Sequence, residues 1–365
     1  MKRFAYFSRY TVLPLALALL TIGPSLWPAD AQQNPYRSSN NNYGVSGGNV
    51  NDITRRFCCS GTLGSLLQDN TGVQYILSNN HVVGLSGKAA FGDDISQPGL
   101  IDNNCGVAEI VADFTAAPGL NTGVDAAIAQ LRTGAMNSTG AIEGIGTISS
   151  VVRAPALNLG VKKSGRTTGT TTGTVTGINA TVSVRYPKSC GSGGGSTFTF
   201  TNQVVIGQSG FSAGGDSGSL IVTNNSCAQP VALLFAGSSS STIGNPISQV
   251  LTQVGNALSA RVGSTRTVSF VGGTCTASAS LELFDQLPSL SREMVNRASA
   301  AKERNEVRIM SRRSVIGMGV GVSDEDPSEA VIVVYVNQNG PRPRLPRQID
   351  GVRVKVIETD EFVAY

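Results

Sequence analysis

One short stretch combines a hydroxyl nucleophile with residues that permit a sharp turn. In Ser212-Ala-Gly-Gly-Asp-Ser217-Gly-Ser-Leu-Ile-Val222, a serine stands between glycines ahead of an apolar run that predicts a buried strand. Such a turn can direct the N–H groups of Gly215 and Ser217 into one small space, as an oxyanion requires. An ordinary Gly/Ser turn has the same composition, so the interpretation depends on a base and an acid elsewhere in the chain.

A base and an acid are present. The sequence contains 1 His, and it is His81, which follows the apolar run Tyr75-Ile-Leu near a predicted strand end. Imidazole is suited to take a proton from a serine hydroxyl. Asp125 heads the apolar run Ala126-Ala-Ile-Ala-Gln-Leu131, where a carboxylate is costly unless it is paired. The other acids of this region stand in loop-like or more polar contexts: Asp93, Asp94, Asp102 and Asp113.

In the order His, Asp, Ser, these segments resemble the chymotrypsin-fold serine proteases. Lys163-Ser-Gly-Arg-Thr-Thr-Gly169 is similar to the segment that opens the second barrel in bacterial streptogrisin and α-lytic-type enzymes, and plant narrow-leaf-type trypsin-like proteins look similar as well. The resemblance covers roughly Cys59 to Leu251. It departs from the family at Ser219, where many relatives carry glycine, and in lacking a cysteine beside His81.

The resemblance implies an all-β fold of two six-stranded-type antiparallel barrels and no metal or organic cofactor. It implies Ser217 as nucleophile, His81 as base, Asp125 as the acid that orients it, and the N–H groups of Gly215 and Ser217 as the oxyanion hole. It also implies a substrate pocket, formed by Phe211, Ser212, Ala213, Ala236, Gly237 and Ser238. No acid lies among these residues, so we expect cleavage after apolar or small side chains. Asp216 is expected to be structural.

The strand pattern agrees with that fold. From Ser60 onward, short apolar runs alternate with Gly/Asn/Asp/Ser turns, which favours an antiparallel sandwich or barrel. We divide this part into a first barrel, 57–145, and a second barrel, 146–275. The second is expected to contain a hairpin over Thr167–Thr181 and to end in a helix at about Ile247–Leu258.

The beginning of the chain indicates export. Residues 1–31 have a basic start, a short apolar stretch and a small-x-small cleavage site, which predicts a signal peptide rather than an uncleaved anchor. We therefore expect a secreted or periplasmic protein without a stable membrane span. Removal of this peptide takes away three basic residues and one acidic residue, so the net charge falls from +4 to +2, and a nearly neutral chain leaves no case for nucleic acid or an anionic membrane as a partner. Residues 32–56 are rich in Asn, Ser and Gly and predict a flexible leader.

The cysteine count fits export. Six cysteines suggest disulfides, although 15 pairings are possible. A bridge between Cys190 and Cys227 is plausible because they flank the Ser217 strand, and Cys105 could pair with Cys58 or Cys59. A zinc site is disfavoured, since the sequence lacks histidine partners and Cys-x-x-Cys spacing.

A change in charge density marks a C-terminal module. Residues 32–275 hold 13 basic and 10 acidic side chains, whereas the much shorter 276–365 hold 12 and 13. The module is predicted to be a small α+β unit, with an amphipathic helix at about Ser289–Met310 and three strand-like runs. We expect it to assist folding, to cover the active site in cis until removed, or to serve as a partner-binding or stabilising extension.

The sequence therefore predicts a secreted serine endopeptidase acting on a protein or peptide. The alternatives are a non-catalytic binding protein on the same fold and a serine esterase.

Overall fold

The computed structural model describes residues 40–191, 194–275 and 290–364. The predicted signal peptide, 1–31, lies outside them. Seven short strands form most of a first sheet: β1 (Val45–Asn49), β2 (Gly61–Leu63), β3 (Ser65–Asp69), β4 (Gln74–Ser78), β5 (Asp94–Gln97), β6 (Glu109–Ala116) and β7 (Ala127–Leu131). Helix α1 (Asn80–Val83) follows β4, and short 3-10 turns lie at Leu85–Gly87, Leu100–Asn103 and Leu120–Thr122.

The first sheet curls into a barrel. Its strand order is β4-β7-β6-β5-β1-β2, and β2 is separated from β3, the other neighbour of β4, only by Gly64. Gly64 must be glycine, because a Cβ there would lie 1.9 Å from the carbonyl oxygen of Gly218. Leu63, Ile76, Leu77 and Ile128 are fully buried inside.

A second sheet forms from β8 (Gly160–Gly165), β9 (Gly169–Pro187), β10 (Gly195–Ile206), β11 (Leu220–Thr223), β12 (Pro230–Gly237) and β13 (Thr242–Pro246). Its order is β10-β13-β12-β11-β8-β9, and β9 also pairs with β10, which closes the second barrel. The two-barrel all-β architecture predicted from the sequence is thus confirmed.

The C-terminal part adds helices and strands to both barrels. They are α2 (Ile247–Val262), β14 (Val268–Phe270), α3 (Arg292–Met310), β15 (Val315–Val322), β16 (Ala330–Asn337), β17 (Gln348–Ile349), β18 (Val352–Thr359) and β19 (Phe362–Ala364). Strand β15 pairs antiparallel with β9 and β16, β18 pairs parallel with β16, and α3 packs on this extension through Ala298 and Ala301. The second barrel's sheet therefore continues into the C-terminal strands.

Three local predictions need correction. Part of the predicted flexible leader, Val45–Asn49, is the buried strand β1, paired with β2 and β5. Its Asn/Ser/Gly composition reflects close packing, since a Cβ on Gly47 would lie 2.4 Å from Leu63. The Thr-rich stretch is not a hairpin in itself but most of the single 19-residue strand β9. Strand β14 returns to the first sheet by pairing with β3, although it falls in the segment assigned to the second barrel.

All six cysteines form disulfides: Cys58–Cys105, Cys59–Cys190 and Cys227–Cys275. The first is one of the two pairings expected for Cys105. The predicted Cys190–Cys227 bridge is wrong, because Cys190 is bonded to Cys59 and Cys227 to Cys275. Three disulfides fit an extracellular or periplasmic protein. Across the described ranges, we find no helix with the length and apolar character needed to cross a membrane.

Candidate active site

Strand pairing brings His81 and Asp125 together. Strands β4 and β7 are neighbours, with Ser78 opposite Ala127, and the two residues stand just beyond that pair. His81 Nδ1 lies 2.5 Å from Asp125 Oδ2, and the backbone N–H of His81 donates to Asp125 Oδ1 at 3.1 Å. Asp125 is fully buried, and its two oxygens bind the ring and the backbone N–H of His81, which together fix the orientation of the imidazole.

A third side chain, Tyr186 at the end of β9, joins this pair. Its hydroxyl donates to Asp125 Oδ2 at 2.7 Å, and its ring meets that of His81 edge-on at 5.9 Å. Burial raises the pKa of Tyr186 well above its usual value, and the Asp125 charge and hydrogen bond raise it further, so the hydroxyl remains a donor. The sequence carries no local signal for this role, because Tyr186 is 61 residues from Asp125.

The backbone of Asp125 is fixed as well. Its N–H donates to Asn245 Oδ1 at 2.9 Å, and its carbonyl accepts from Asn79 Nδ2 at 2.6 Å. Asn245 in turn donates to Gln203 at 2.6 Å. These buried amides join both barrels at the acid, so its position does not depend on a single loop.

The other acids of this region are engaged elsewhere. Asp94 and Asp113 both bind Arg132, and Asp102 accepts two hydrogen bonds from Arg166, at 2.6 and 2.7 Å. Asp93 accepts from Asn49 at 3.2 Å. In the described residues, the structure therefore places only Asp125, among these five candidates, against the imidazole.

Ser217 lies in a turn that glycines make possible. Gly215 and Gly218 have φ values of 100° and 95°, which favour glycine. A Cβ on Gly218 would also lie 2.2 Å from the carbonyl oxygen of Thr62. Within residues 40–191, 194–275 and 290–364, no acceptor is found for the N–H groups of Gly215 and Ser217, the pair expected to bind an oxyanion.

The Ser217 turn packs against the segment that carries His81. Thr62 in β2 donates its N–H to the Ser217 carbonyl at 2.8 Å, and its hydroxyl donates to the Gly215 carbonyl at 2.9 Å. A Cβ on Gly61 would lie 2.6 Å from Val82, the residue after His81, and 2.9 Å from the Ser217 carbonyl. The segment after His81 and the Ser217 turn therefore lie on either side of the Gly61 backbone, with no room for a side chain at that position.

A buried ion pair holds the turn from behind. Lys163 Nζ and Asp216 Oδ2 are 3.5 Å apart, with both side chains fully buried. Asp216 also accepts from the N–H groups of Thr167, Thr168 and Ala213 at 2.8, 3.1 and 2.9 Å. Burial lowers the pKa of Lys163, and the Asp216 charge opposes that shift. The partner of Asp216 is thus an internal lysine.

The site opens into a cleft of about 390 Å³. Its lining includes His81, Gly214, Gly215, Tyr186 and Ala364. Asp52 also borders the cleft; burial raises its pKa, and the positive charges of His81 and Lys88 oppose the rise. Over the described residues, no group of three or more His, Cys, Asp or Glu side chains could hold a metal ion.

The six residues expected to form the substrate pocket lie in three different settings: the hydrophobic core, local hydrogen bonds and pairing with β19. Phe211 is wrong as a pocket wall, because it is fully buried in the core with Val161, Val175 and Ile206. Ser212 bonds Thr242 at 2.6 Å, Ser238 accepts from Thr359 at 2.7 Å, and Ala213 donates its N–H to Asp216. Ala236 and Gly237 pair with β19.

Comparison with known proteins finds no matching family model and no matching curated sequence. Among solved structures, the chain is similar to bacterial chymotrypsin-fold serine proteases. A glutamic acid specific serine protease, described as using a histidine triad in substrate binding, has 19% identity and a TM-score of 0.43, covering 62% of this chain and 98% of that one. Protease A of Thermobifida fusca has 17% identity and a TM-score of 0.40, covering 64% and 99%. An α-lytic protease homologue, N4, has 21% identity and a TM-score of 0.37, covering 53% and 89%. At these values the similarity says nothing of this chain's reaction or substrate.

Proposed function

We propose that this protein is a serine endopeptidase acting by two-step acyl transfer. The observation that carries the proposal is the 2.5 Å contact between His81 and buried Asp125, at the barrel junction against which the Ser217 turn packs. An imidazole held by a buried carboxylate, at a junction that also carries a serine on a glycine-bounded turn, is suited to nucleophilic catalysis.

In the first step, the Ser217 oxygen attacks the peptide carbonyl and the hydroxyl proton passes to His81. The N–H groups of Gly215 and Ser217 bind the oxyanion, while Asp125 stabilises the imidazolium. His81 then gives its proton to the departing amine as the C–N bond breaks. In the second step, water attacks the acyl-enzyme in the same way and releases the carboxylic acid and the free serine.

We further propose cleavage after apolar or small residues. Apart from Phe211, the positions expected to border the pocket hold small residues, and the hydroxyls of Ser212 and Ser238 are bonded to Thr242 and Thr359. No acid is present among them to pair with a substrate Lys or Arg. Cleavage of a peptide library mainly after Arg would contradict this preference. The disulfides and the predicted signal peptide support secretion into the periplasm or medium.

The test is labelling with a fluorophosphonate probe, which reacts only with an activated serine. We expect labelling of the wild type and none of Ser217→Ala or His81→Ala, since no second histidine can replace the first. Ser219→Ala is a matched control, because the hydroxyl of this neighbouring serine donates to the Asp216 carbonyl within the same turn, at 2.6 Å. Absence of labelling in folded wild type would favour a binding protein. Labelling with ester but not peptide hydrolysis would favour an esterase.

A further inference from the structure

One edge of β12 runs directly from the Ser217 turn to the C-terminal strand. The Leu234 carbonyl accepts from the Gly218 N–H at 3.0 Å, and the next carbonyl, that of Phe235, accepts the Ser217 hydroxyl at 3.3 Å. The following residues, Ala236 and Gly237, also pair with β13. A strand has two hydrogen-bonding edges, and β13 takes one edge of Ala236 and Gly237. Their other edge, on the side of Ser217, can pair with a different strand.

Strand β19 occupies that edge. It runs antiparallel to β12, with Ala364 opposite Ala236 and Val363 opposite Gly237. Its other side pairs parallel with β9, Phe362 lying opposite Val184. The last described residue, Ala364, is therefore one step along β12 from Phe235, the residue bonded to Ser217.

Side chains on both flanks anchor β19. The Thr359 hydroxyl donates to Ser238 Oγ at 2.7 Å, and Arg185 Nε donates to Glu361 at 2.7 Å. Phe362 is fully buried and meets Tyr335 edge-on at 5.7 Å. Val363 and Ala364 contribute no charged group to the edge, so their pairing rests on the backbone.

We propose that β19 occupies the position at which an extended peptide substrate pairs with β12, so that the chain blocks its own substrate edge. This inference rests on the proposed peptidase function. Backbone groups beside a nucleophile recognise a peptide by adding it as a strand, and its side chains contribute specificity. Ala364 lies on the cleft wall together with His81 and Gly215, so a substrate strand and β19 exclude each other.

The register of β19 on β12 also indicates which kind of ligand this edge binds. The edge takes an extended apolar segment running antiparallel to β12, of the type Phe362-Val-Ala364. A tethered segment acts at a high effective concentration, and a competing peptide binds only to the fraction of molecules in which the edge is open.

The experiment compares two Ser217→Ala chains, one of full length and one ending at Phe362, which keeps the buried ring. A fluorescent peptide of residues 358–365 is titrated into each, and anisotropy gives its affinity. We expect about 10- to 100-fold tighter binding to the shortened chain. A peptide with proline at positions 363 and 364, which lacks those N–H groups, should bind neither chain.

Two full-length variants provide controls. Val363→Pro breaks the pairing without shortening the chain and should bind the peptide like the shortened form. Val356→Ala changes an exposed residue of β18 and should behave like the full-length parent. Equal affinity of all forms, with circular dichroism showing them folded, would overturn the proposal.

Restoring Ser217 separates this inference from the proposed function. We expect kcat/KM on an apolar peptide to rise at least about tenfold in the shortened chain, with the 358–365 peptide raising KM and leaving kcat unchanged. A binding difference without labelling or hydrolysis in any form would uphold the blocked edge and refute the peptidase. Labelling and hydrolysis that are equal in the full-length and shortened chains would uphold the peptidase and refute the blocked edge.

Discussion

Tyr186 donates its hydroxyl to Asp125 Oδ2 at 2.7 Å, the same oxygen that His81 Nδ1 contacts at 2.5 Å. One carboxylate oxygen thus links the imidazole to a strand of the other barrel. Tyr186 touches no reacting atom in the proposed mechanism, so we regard it as a positioning residue for the acid and base.

Tyr186→Phe should lower kcat by about 10- to 100-fold, because a hydrogen bond to a charged group contributes about 1.5–3 kcal/mol. KM should change little, and the acid limb of the pH–rate profile should move. Tyr75→Phe is the matched control, since the Tyr75 hydroxyl also bonds a buried aspartate, Asp69, but at a remote hairpin. Loss of stability in both variants with an unchanged pH profile would assign Tyr186 a purely structural role.

Lys163→Met should destabilise the protein by about 3–5 kcal/mol, because it leaves the Asp216 carboxylate buried without its cation. Urea unfolding measures this loss, and fluorophosphonate labelling reports on the turn. In the double variant Lys163→Met/Asp216→Leu, part of the stability should return. Labelling should not recover, because the double variant also lacks the hydrogen bonds that Asp216 accepts from the N–H groups of Thr167, Thr168 and Ala213. A double variant that labels normally would show that the carboxylate does not shape the turn.

Gly218→Ala should slow labelling at least about 100-fold, since a small displacement of a reacting group has a large effect on rate. The added Cβ meets the Thr62 carbonyl, which cannot move away without disturbing β2. Gly134→Ala is the control: its φ is also positive, 75°, but nothing lies within 4 Å of the added atom. It should cost about 1–2 kcal/mol of stability and leave labelling intact. Equal labelling in both would mean that the Gly218 packing is dispensable.

The Asp69 carboxylate should make the free energy of unfolding depend on pH in acidic solution. Burial raises its pKa, but hydrogen bonds from Thr71, Val73 and Tyr75 outweigh that effect and hold it below the usual value. The unfolded chain therefore binds the proton more readily, so this stabilisation is complete above the unfolded pKa of about 3.9 and is lost as the pH falls through the folded pKa.

Melting temperatures between pH 2 and pH 6 test this assignment. Asp69→Asn should melt lower than wild type at pH 6, and the gap should shrink below about pH 4. Asp324→Asn, which removes an exposed carboxylate paired with Lys355 at the surface, is the control and should show little change, because surface ion pairs contribute little. A gap that stays constant with pH would rule out a titrating Asp69.

The contact between His81 and Asp125 and the turn at Ser217 could be anticipated because their signals are local. His81 and Asp125 stand at the ends of apolar runs, and the glycines around Ser217 mark a turn. Tyr186 could not be found in this way, because the register of β9 places it, and that register depends on pairing over long sequence separations. Phe211 was misassigned because a residue next to a turn can face either the cleft or the core. Strand β1 was missed because small polar residues are typical of both loops and tightly packed strands.

Strand β9 has a consequence for how the chain behaves when cut. Its Gly169–Thr174 part pairs with β8, and the remainder pairs with β10 and β15, so one strand belongs to the second barrel and to the C-terminal sheet. A proteolytic nick between 275 and 290 would leave two fragments joined by that ladder and by Lys302 on Thr181. Stripping the C-terminal fragment away would expose the edge of β9 that pairs with β15, over residues 177–182, and an unpaired strand edge is prone to aggregation. A cut in this segment would therefore not by itself release the C-terminal fragment. The two fragments should unfold together in one cooperative transition.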